Sequence, residues 1–235
     1  MALRHSPSII TEGLVFSIDA QNPKSYNGSG TLWFDQIGNY NVNLTTNAVS
    51  PSFTGKSFQY RNTSNMFTTT TFDEGVLRQS NQLGSWSIEL FFKHISAPST
   101  SESILAGRSG CHGGIYMYSN NVLYHAIKTT ESNCWTGSVN TPVATLTPGE
   151  TYHTVFTYDN GQCYHYLNGT PAPLNSSSVF DKNTYTMTGY ATVFFIGGIT
   201  GRMPNADIAV VRCYDRLLTD DEVLQNYNAL VGRIL

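Results

Sequence analysis

Hydrolysis of a glycosidic bond needs two carboxylates facing one cleft, and the 16 acidic residues of this 235-residue chain are spaced in a way that does not supply them. In SIELFFKH, Glu89 stands alone. In FDEGV, Asp73 and Glu74 are neighbours and point to opposite sides of an extended chain. The histidines are His5, His94, His112, His125, His153 and His165, with no His-x-x-x-His or His-Glu-x-x-His spacing for a helical zinc site. His153 and His165 flank the turn Asn160-Gly161, and their shared odd numbering predicts one face of a hairpin, where a packed cross-strand pair outweighs a metal site. No Gly-x-Ser-x-Gly elbow is present for a serine nucleophile. The stretch SGCHGG does not follow a strand and open a helix, so it is not a phosphate cradle.

Residues suited to binding are easier to find. The chain holds 14 tyrosines, and aromatic faces pack well on the apolar faces of sugar rings. Trp135 sits in the polar stretch ESNCWTGS with Asn133, and Tyr116 and Tyr118 sit in GGIYMYSNN. Trp135, Asn133, Tyr116 and Tyr118 are the candidate glycan contacts; the alternative is that Trp135 caps the core. Trp33 and Trp86 lie in alternating stretches and are expected inside.

Charged residues make up 12% of the chain, about half the roughly 25% of an average globular protein. Asn, Ser, Thr, Tyr and Gly must therefore cover the surface, and these favour strands and turns. The net charge is −3 with no basic block, which argues against nucleic acid. No run of about 18 apolar residues exists, so membrane insertion is not expected. MALRHSPSIITEGLVF lacks the pattern of a secretory signal. Glycosylation-type triplets at Asn27, Asn43, Asn62, Asn168 and Asn175 then follow from the Asn/Ser/Thr-rich surface. Cys111, Cys134, Cys163 and Cys213 contain no Cys-x-x-Cys pair. Two readings stand, four thiols or up to two disulfides, with Cys111 and Cys134 the leading pair in the second.

The elements that must position these residues are mostly short strands. GLVFSIDA, TLWFDQIGNYNVNLT, SFQY, SESILAGRS, GGIYMYSNNVLYHAIK, ATVFFIGGI and ADIAVVRCYDR are extended units separated by Gly, Pro and Asn breakers. SWSIELFFKH alternates, with Trp86, Ile88, Leu90 and Phe92 on one face and Ser87, Glu89, Phe91 and Lys93 on the other. Asp159-Asn160-Gly161 marks a tight hairpin. Near the end, Thr219 and Glu222 form a capping box, and Val223, Leu224, Tyr227 and Val231 predict a short amphipathic helix laid on the sheet. With no linker and no repeat, the pattern is one all-β sandwich over 13–235, preceded by an N-terminal arm over 1–12.

Three stretches, in this order, resemble the laminin-G-like, concanavalin A-like lectin/glucanase superfamily: SWSIELFFK, YHTVFTYDNGQCYHYLNGT, and IGGITGRMPNADIAVVRCYDRLLTDDEVLQNYNA. The opening GLVFSIDAQNPKSYNGSGTLWFDQIGNYN is similar to laminin-G-like structural proteins of tailed, especially marine, bacteriophages; Phe34 and Ile37 replace the Tyr and Ser common there. The resemblance implies a two-sheet antiparallel jelly-roll sandwich with one short C-terminal helix. It implies hydrolase relatives too, but their Glu-x-Asp-x-x-Glu pattern is missing here. It also implies a rim Ca²⁺ site, for which Asp19, Asn22, Asp35 and Asp207 are the candidate donors; the alternative for Asp19 and Asp35 is turn stabilisation.

The expected function is that of a non-enzymatic virion protein on the particle exterior, assembled in the host cytoplasm, as a capsid decoration, fibre or tail component. Its expected partners are other virion proteins, further copies of itself as a homo-oligomer, and cell-surface glycans. The arm, with Pro7, Ile9 and Ile10, is expected to attach the domain to a neighbour by strand addition. A carbohydrate-binding adhesin and, behind it, a glycoside hydrolase are the alternatives.

Overall fold

In a computed structural model of the protein, residues 8–38, 40–45, 49–61, 66–72, 84–108, 113–128, 138–179 and 193–234 are described. They form two antiparallel sheets packed as a jelly-roll sandwich, with one helix at the C-terminal end. Numbered in chain order, the nine-stranded sheet runs β14 (Thr170–Pro171), β13 (Gln162–Leu167), β12 (Thr151–Asp159), β7 (Ser85–Ser96), β17 (Asn205–Tyr214), β5 (Phe58–Tyr60) and β4 (Ser52–Phe53). Here β1 (Leu14–Asp19) also pairs with β17, and β15 (Ser177–Val179) with β13. The eight-stranded sheet runs β11 (Ser138–Thr145), β10 (Val122–Lys128), β9 (Gly114–Tyr118), β8 (Glu102–Arg108), β16 (Val193–Ile196), β6 (Thr68–Thr71), β3 (Val42–Asn43) and β2 (Leu32–Trp33).

The alternation of β7 builds the centre of the sandwich. Trp86, Ile88, Leu90 and Phe92 point into the core shared by both sheets, together with Trp33, Phe156 and Tyr158. Trp86 meets Phe156 edge-on at 5.0 Å and stacks on Tyr158 at 5.6 Å. Each such fully buried side chain contributes on the order of 2 kcal/mol or more. Polar groups also tie the sheets: the Tyr60 hydroxyl of β5 lies 2.8 Å from Thr68 Oγ1 of β6. The ring of Tyr60 fits because residue 197 is glycine; with φ of +74°, a Cβ there would sit 1.9 Å from that ring.

The hairpin β12–β13 corrects the shared face expected of His153 and His165. Asp159 pairs with Gln162, leaving a two-residue loop in which Asn160 and Gly161 have φ of 48° and 99°, the signature of a type I′ turn. Paired positions across that loop have opposite parity: His165 pairs with Phe156, an even-numbered residue. His165 therefore faces the interior, and His153 faces outward beneath the helix.

Helix α1 (Asp220–Ile234) starts at the expected capping box, with the Thr219 amide donating to Glu222 Oε2 at 2.9 Å. Arg216 reinforces it, its Nη1 and Nη2 donating to Glu222 at 2.8 and 2.6 Å. The helix lies on the outer face of the nine-stranded sheet, with Val223 and Leu230 buried and Tyr227 and Val231 half-buried against Phe91, Ala209 and Val210. Leu224, expected beside Val223 on the buried face, is 42% exposed. It follows Val223 by one position, which turns it about 100° around the helix, and Asn226 and Leu230 occupy the inward positions instead.

The described part of the N-terminal arm lies against the same helix. The Ile10 amide donates to Asn226 Oδ1 at 2.7 Å, Gln225 Nε2 donates to the Ser8 carbonyl at 2.7 Å, and Arg216 Nε to the Glu12 carbonyl at 3.0 Å. Ile9 and Ile10 pack beside Leu14, Val155, Tyr214 and Val223. Residues 1–7 lie outside the described residues.

Candidate functional site

Because α1 takes one outer face, the outer face of the eight-stranded sheet is the place to look for binding chemistry. Its residues follow from strand alternation. Leu105, Met117, Leu123 and Ile127 point into the core. The residues between them, Ile104, Tyr116, Tyr118, Tyr124 and Ala126, gather on the opposite side with Phe195 and Ile199. Cross-strand pairing puts them side by side: Glu102 opposite Tyr118, Ile104 opposite Tyr116, and Tyr116 opposite Tyr124.

The result is an aromatic platform with a charged rim. Tyr118 and Tyr124 pack at 4.2 Å between ring centroids, and Phe195 meets Phe67 at 5.6 Å. Ile104, Tyr116 and Ala126 are buried on this face, and Tyr118, Tyr124, Phe195 and Ile199 are half-buried. At the rim, Arg202 Nη1 lies 2.5 Å from Glu102 Oε1; Arg202 is 40% exposed and Glu102 only 8%. Burial pushes the Glu102 carboxyl up, while the Arg202 charge and a hydrogen bond from Tyr118 pull it back. A tight turn in which the Arg202 amide donates to the Ile199 carbonyl at 2.8 Å sets the backbone from which the side chain reaches Glu102. Stacking rings beside an oriented guanidinium–carboxylate pair can hold a sugar by its apolar face and its hydroxyls together.

Of the four expected glycan contacts, Tyr116 and Tyr118 share this face, while Asn133 and Trp135 lie outside the described residues, as do Cys111 and Cys134. Tyr124, Phe195, Glu102 and Arg202 were missed by sequence reasoning. The alternation in NVLYHAIK carried the signal for Tyr124, since Leu123 and Ile127 are core-facing; the Glu102–Arg202 pairing spans 100 positions and left no local trace. Cys163 and Cys213 are buried thiols, and burial pushes Cys163 up to about 12.

The expected calcium donors are each engaged within the protein. Asp35 Oδ1 accepts from the Ser17 amide at 2.8 Å and the Ile37 amide at 3.2 Å, and Oδ2 from the Gly38 amide at 3.0 Å. Asp19 accepts from the Gln21 amide at 2.9 Å and from Arg233 Nη2 at 2.9 Å. Asp207 pairs with Arg61 at 2.6 Å. The Asn22 side chain accepts from the Lys24 amide at 3.0 Å, forming a local turn. These oxygens cap turns and pair with arginines, and among the described residues no group of three or more His, Cys, Asp or Glu side chains could hold a metal ion.

Glu89, the lone carboxylate of β7, is fully buried beneath α1. His153 Nε2 lies 2.8 Å from its Oε1, while Arg212 Nη1, the Tyr214 hydroxyl and Asn226 Nδ2 reach Oε2 at 3.3, 3.2 and 3.2 Å. Burial alone would raise this carboxyl; the Arg212 charge and the His153 hydrogen bond outweigh it and hold the group at about 2. Its oxygens are engaged by protein donors, which is the chemistry of a buried tie rather than of an acid or nucleophile presented to substrate.

A cleft of about 370 Å³ opens elsewhere, on the nine-stranded sheet beyond the helix, lined by Lys56, Lys93, Glu150, Thr151, Asp207 and Ala209 among others. Among the described residues, no helix is long and apolar enough to cross a membrane.

Known proteins support the fold. No curated protein matches the chain. Among solved structures, Trypanosoma rangeli sialidase in complex with a difluorinated KDN shares 15% identity at a TM-score of 0.69, covering 100% of this chain and 36% of that one. The botulinum neurotoxin serotype D binding domain shares 13% identity at 0.68, covering 94% and 53%. The binding domain of botulinum neurotoxin DC, in complex with rat synaptotagmin II, shares 14% at 0.66, covering 93% and 52%. The chain thus spans about a third of the sialidase and about half of the toxin binding domains. At these identities the likeness is one of fold. The sequence also matches, over residues 61–224 and so over more than half its length, the family described as the concanavalin A-like lectin/glucanases superfamily, and the chain belongs to it.

Proposed function

We propose that the protein is a non-enzymatic structural component of a tailed-phage particle, exposed on its exterior, and that it binds cell-surface glycans through the outer face of the eight-stranded sheet. The carrying observation is the asymmetry of the two outer faces. Helix α1 and the arm close the nine-stranded sheet over the Glu89 network, while the half-buried rings of Tyr118, Tyr124 and Phe195 gather beside the 40% exposed Arg202 on the other. The phage context rests on the resemblance of GLVFSIDAQNPKSYNGSGTLWFDQIGNYN to phage structural proteins. The non-enzymatic reading is supported by the engagement of Glu89 with four side-chain partners away from solvent.

Two measurements test this. A glycan array probed with purified protein is expected to return a defined set of ligands, with no release of reducing sugar on incubation. Cryo-EM of the particle is expected to show the sandwich on the outside with the Tyr118 face toward solvent. A particle in which that face is packed against a neighbouring chain would contradict glycan binding and leave an assembly role; steady glycan hydrolysis would contradict the non-enzymatic reading.

A further inference from the structure

The cleft on the nine-stranded sheet is a second binding candidate, separate from the aromatic platform and on the opposite outer face. Its floor is formed where β17 carries an irregularity between Ile208 and Val210. This leaves Ala209, a small residue, between the helix contact and the cleft. Lys93 lies across from Asp207 on one side and from Thr151 on the other. One wall is the β4–β5 turn, closed by the Thr54 amide donating to the Ser57 carbonyl at 2.9 Å. The other is the turn before β12, closed by the Gly149 amide donating to the His94 carbonyl at 2.7 Å and the His94 amide to the Glu150 carbonyl at 2.9 Å. Both walls are therefore fixed by backbone hydrogen bonds, and the volume of about 370 Å³ falls within the roughly 300–1,000 Å³ of small-ligand sites.

The lining carries charged and hydroxyl side chains, and its charge runs against that of the whole chain. Lys93 enters from β7 and Lys56 from the β4–β5 turn, and the cleft's carboxylates are Glu150 and Asp207. Asp207 is already paired with Arg61 at 2.6 Å. Counting that arginine, three cations meet two carboxylates, a local excess of one positive charge on a chain of net charge −3. Thr151 adds a hydroxyl that both donates and accepts, and so does Ser57, whose Oγ also lies 3.0 Å from Thr54 Oγ1.

We propose that this cleft binds a single hydroxylated sugar unit bearing one anionic group, a carboxylate or a sulfate. The anion is held by Lys93 and Lys56, and the ring hydroxyls by Thr151, Ser57 and the Glu150 carboxylate. Lysine suits this task as a compact charge with three donors. The site does not depend on the aromatic platform, and the test keeps the two apart.

The test is NMR titration of ¹⁵N-labelled protein at constant ionic strength with glucuronate, glucose 6-sulfate, glucose and inorganic sulfate. Glucuronate, glucose 6-sulfate or both are expected to shift the amides of Ser57, Gly149 and Thr151, and whichever does so identifies the anion. Lys93→Gln, a change at an exposed position, should weaken that binding roughly tenfold, the loss expected for one charge-assisted hydrogen bond. Tyr118→Ala with Tyr124→Ala should leave it unchanged. Three results overturn the proposal: no shifts at these amides, equal shifts with glucose or with inorganic sulfate, or undiminished binding by the Lys93→Gln protein. Loss of binding in the tyrosine variant would assign the ligand to the platform and overturn it as well.

Discussion

His125 and His165 meet Nδ1 to Nδ1 at 3.0 Å across the gap between the two sheets, one contributed by β10 and the other by β13. Each ring is held at its far side by a hydroxyl: His125 Nε2 lies 2.9 Å from Thr154 Oγ1 and His165 Nε2 lies 3.0 Å from Ser178 Oγ. Thr141 Oγ1 donates to the same serine at 3.0 Å. Phe156 stacks on both rings, at 4.9 and 5.4 Å. One ring donates and the other accepts, so protonating both rings would set two N–H groups against each other.

That arrangement makes the fold acid-sensitive in a defined window. Burial pushes His125 well below its ordinary range, helped by the neighbouring ring, and burial holds His165 at about 4. In the unfolded chain each titrates near about 6.5. Their contribution is complete above that value and falls as pH drops through it, because only the unfolded chain takes up protons. For His165 the fall continues to its folded value of about 4, amounting to roughly 3 kcal/mol. Urea unfolding at pH 7, 5.5 and 4.5 should show this decline, with a shallower slope for His125→Asn, whose side chain does not titrate. Parallel slopes for the two proteins would contradict it.

The Glu89 tie depends on keeping a buried charge. Glu89→Gln leaves Arg212 buried without its counter-ion, a change that costs about 3–5 kcal/mol. The expected readout is a lower urea midpoint with the slope retained. A midpoint within error of the parent protein would show that the network is not a structural tie. The carboxyl's own contribution is present above its unfolded value of about 4.3 and is lost as pH falls through about 2.

The helix and arm should behave as one unit. Val223→Ala and Leu230→Ala, both at fully buried positions, should each cost about 2–4 kcal/mol, whereas Leu224→Ala, at a 42% exposed position, should change stability by less than about 0.5 kcal/mol. Deleting residues 2–10 removes the Ile10 amide from Asn226; combined with Asn226→Ala it should cost less than the sum of the two changes. Strict additivity in thermal unfolding would contradict the coupling.

Much of the fold was legible because it is written in local patterns. The alternation of Trp86, Ile88, Leu90 and Phe92, the Asn160-Gly161 turn and the Thr219–Glu222 box each lie within a few residues, and each took its expected form. The errors came from registers. Parity alone puts His153 and His165 on one face, but the two-residue loop pairs odd positions with even ones. Leu224 was one position off the buried stripe. The site was less legible for a related reason: Tyr118 and Tyr124 sit near each other in sequence, but their polar rim comes from Glu102 and Arg202, joined only by the β8–β16 pairing and the turn that follows it.

The central claim is that the half-buried aromatic face of the eight-stranded sheet is the glycan-binding surface, and its most direct test is calorimetric titration of the best array ligand into parent protein and into the Tyr118→Ala/Tyr124→Ala variant. Each lost stacking ring should cost about 0.5–1.5 kcal/mol, so the account predicts that the double variant, folded as judged by circular dichroism, binds at least about fivefold more weakly. Undiminished affinity in the double variant would place glycan recognition elsewhere on the molecule and contradict the account.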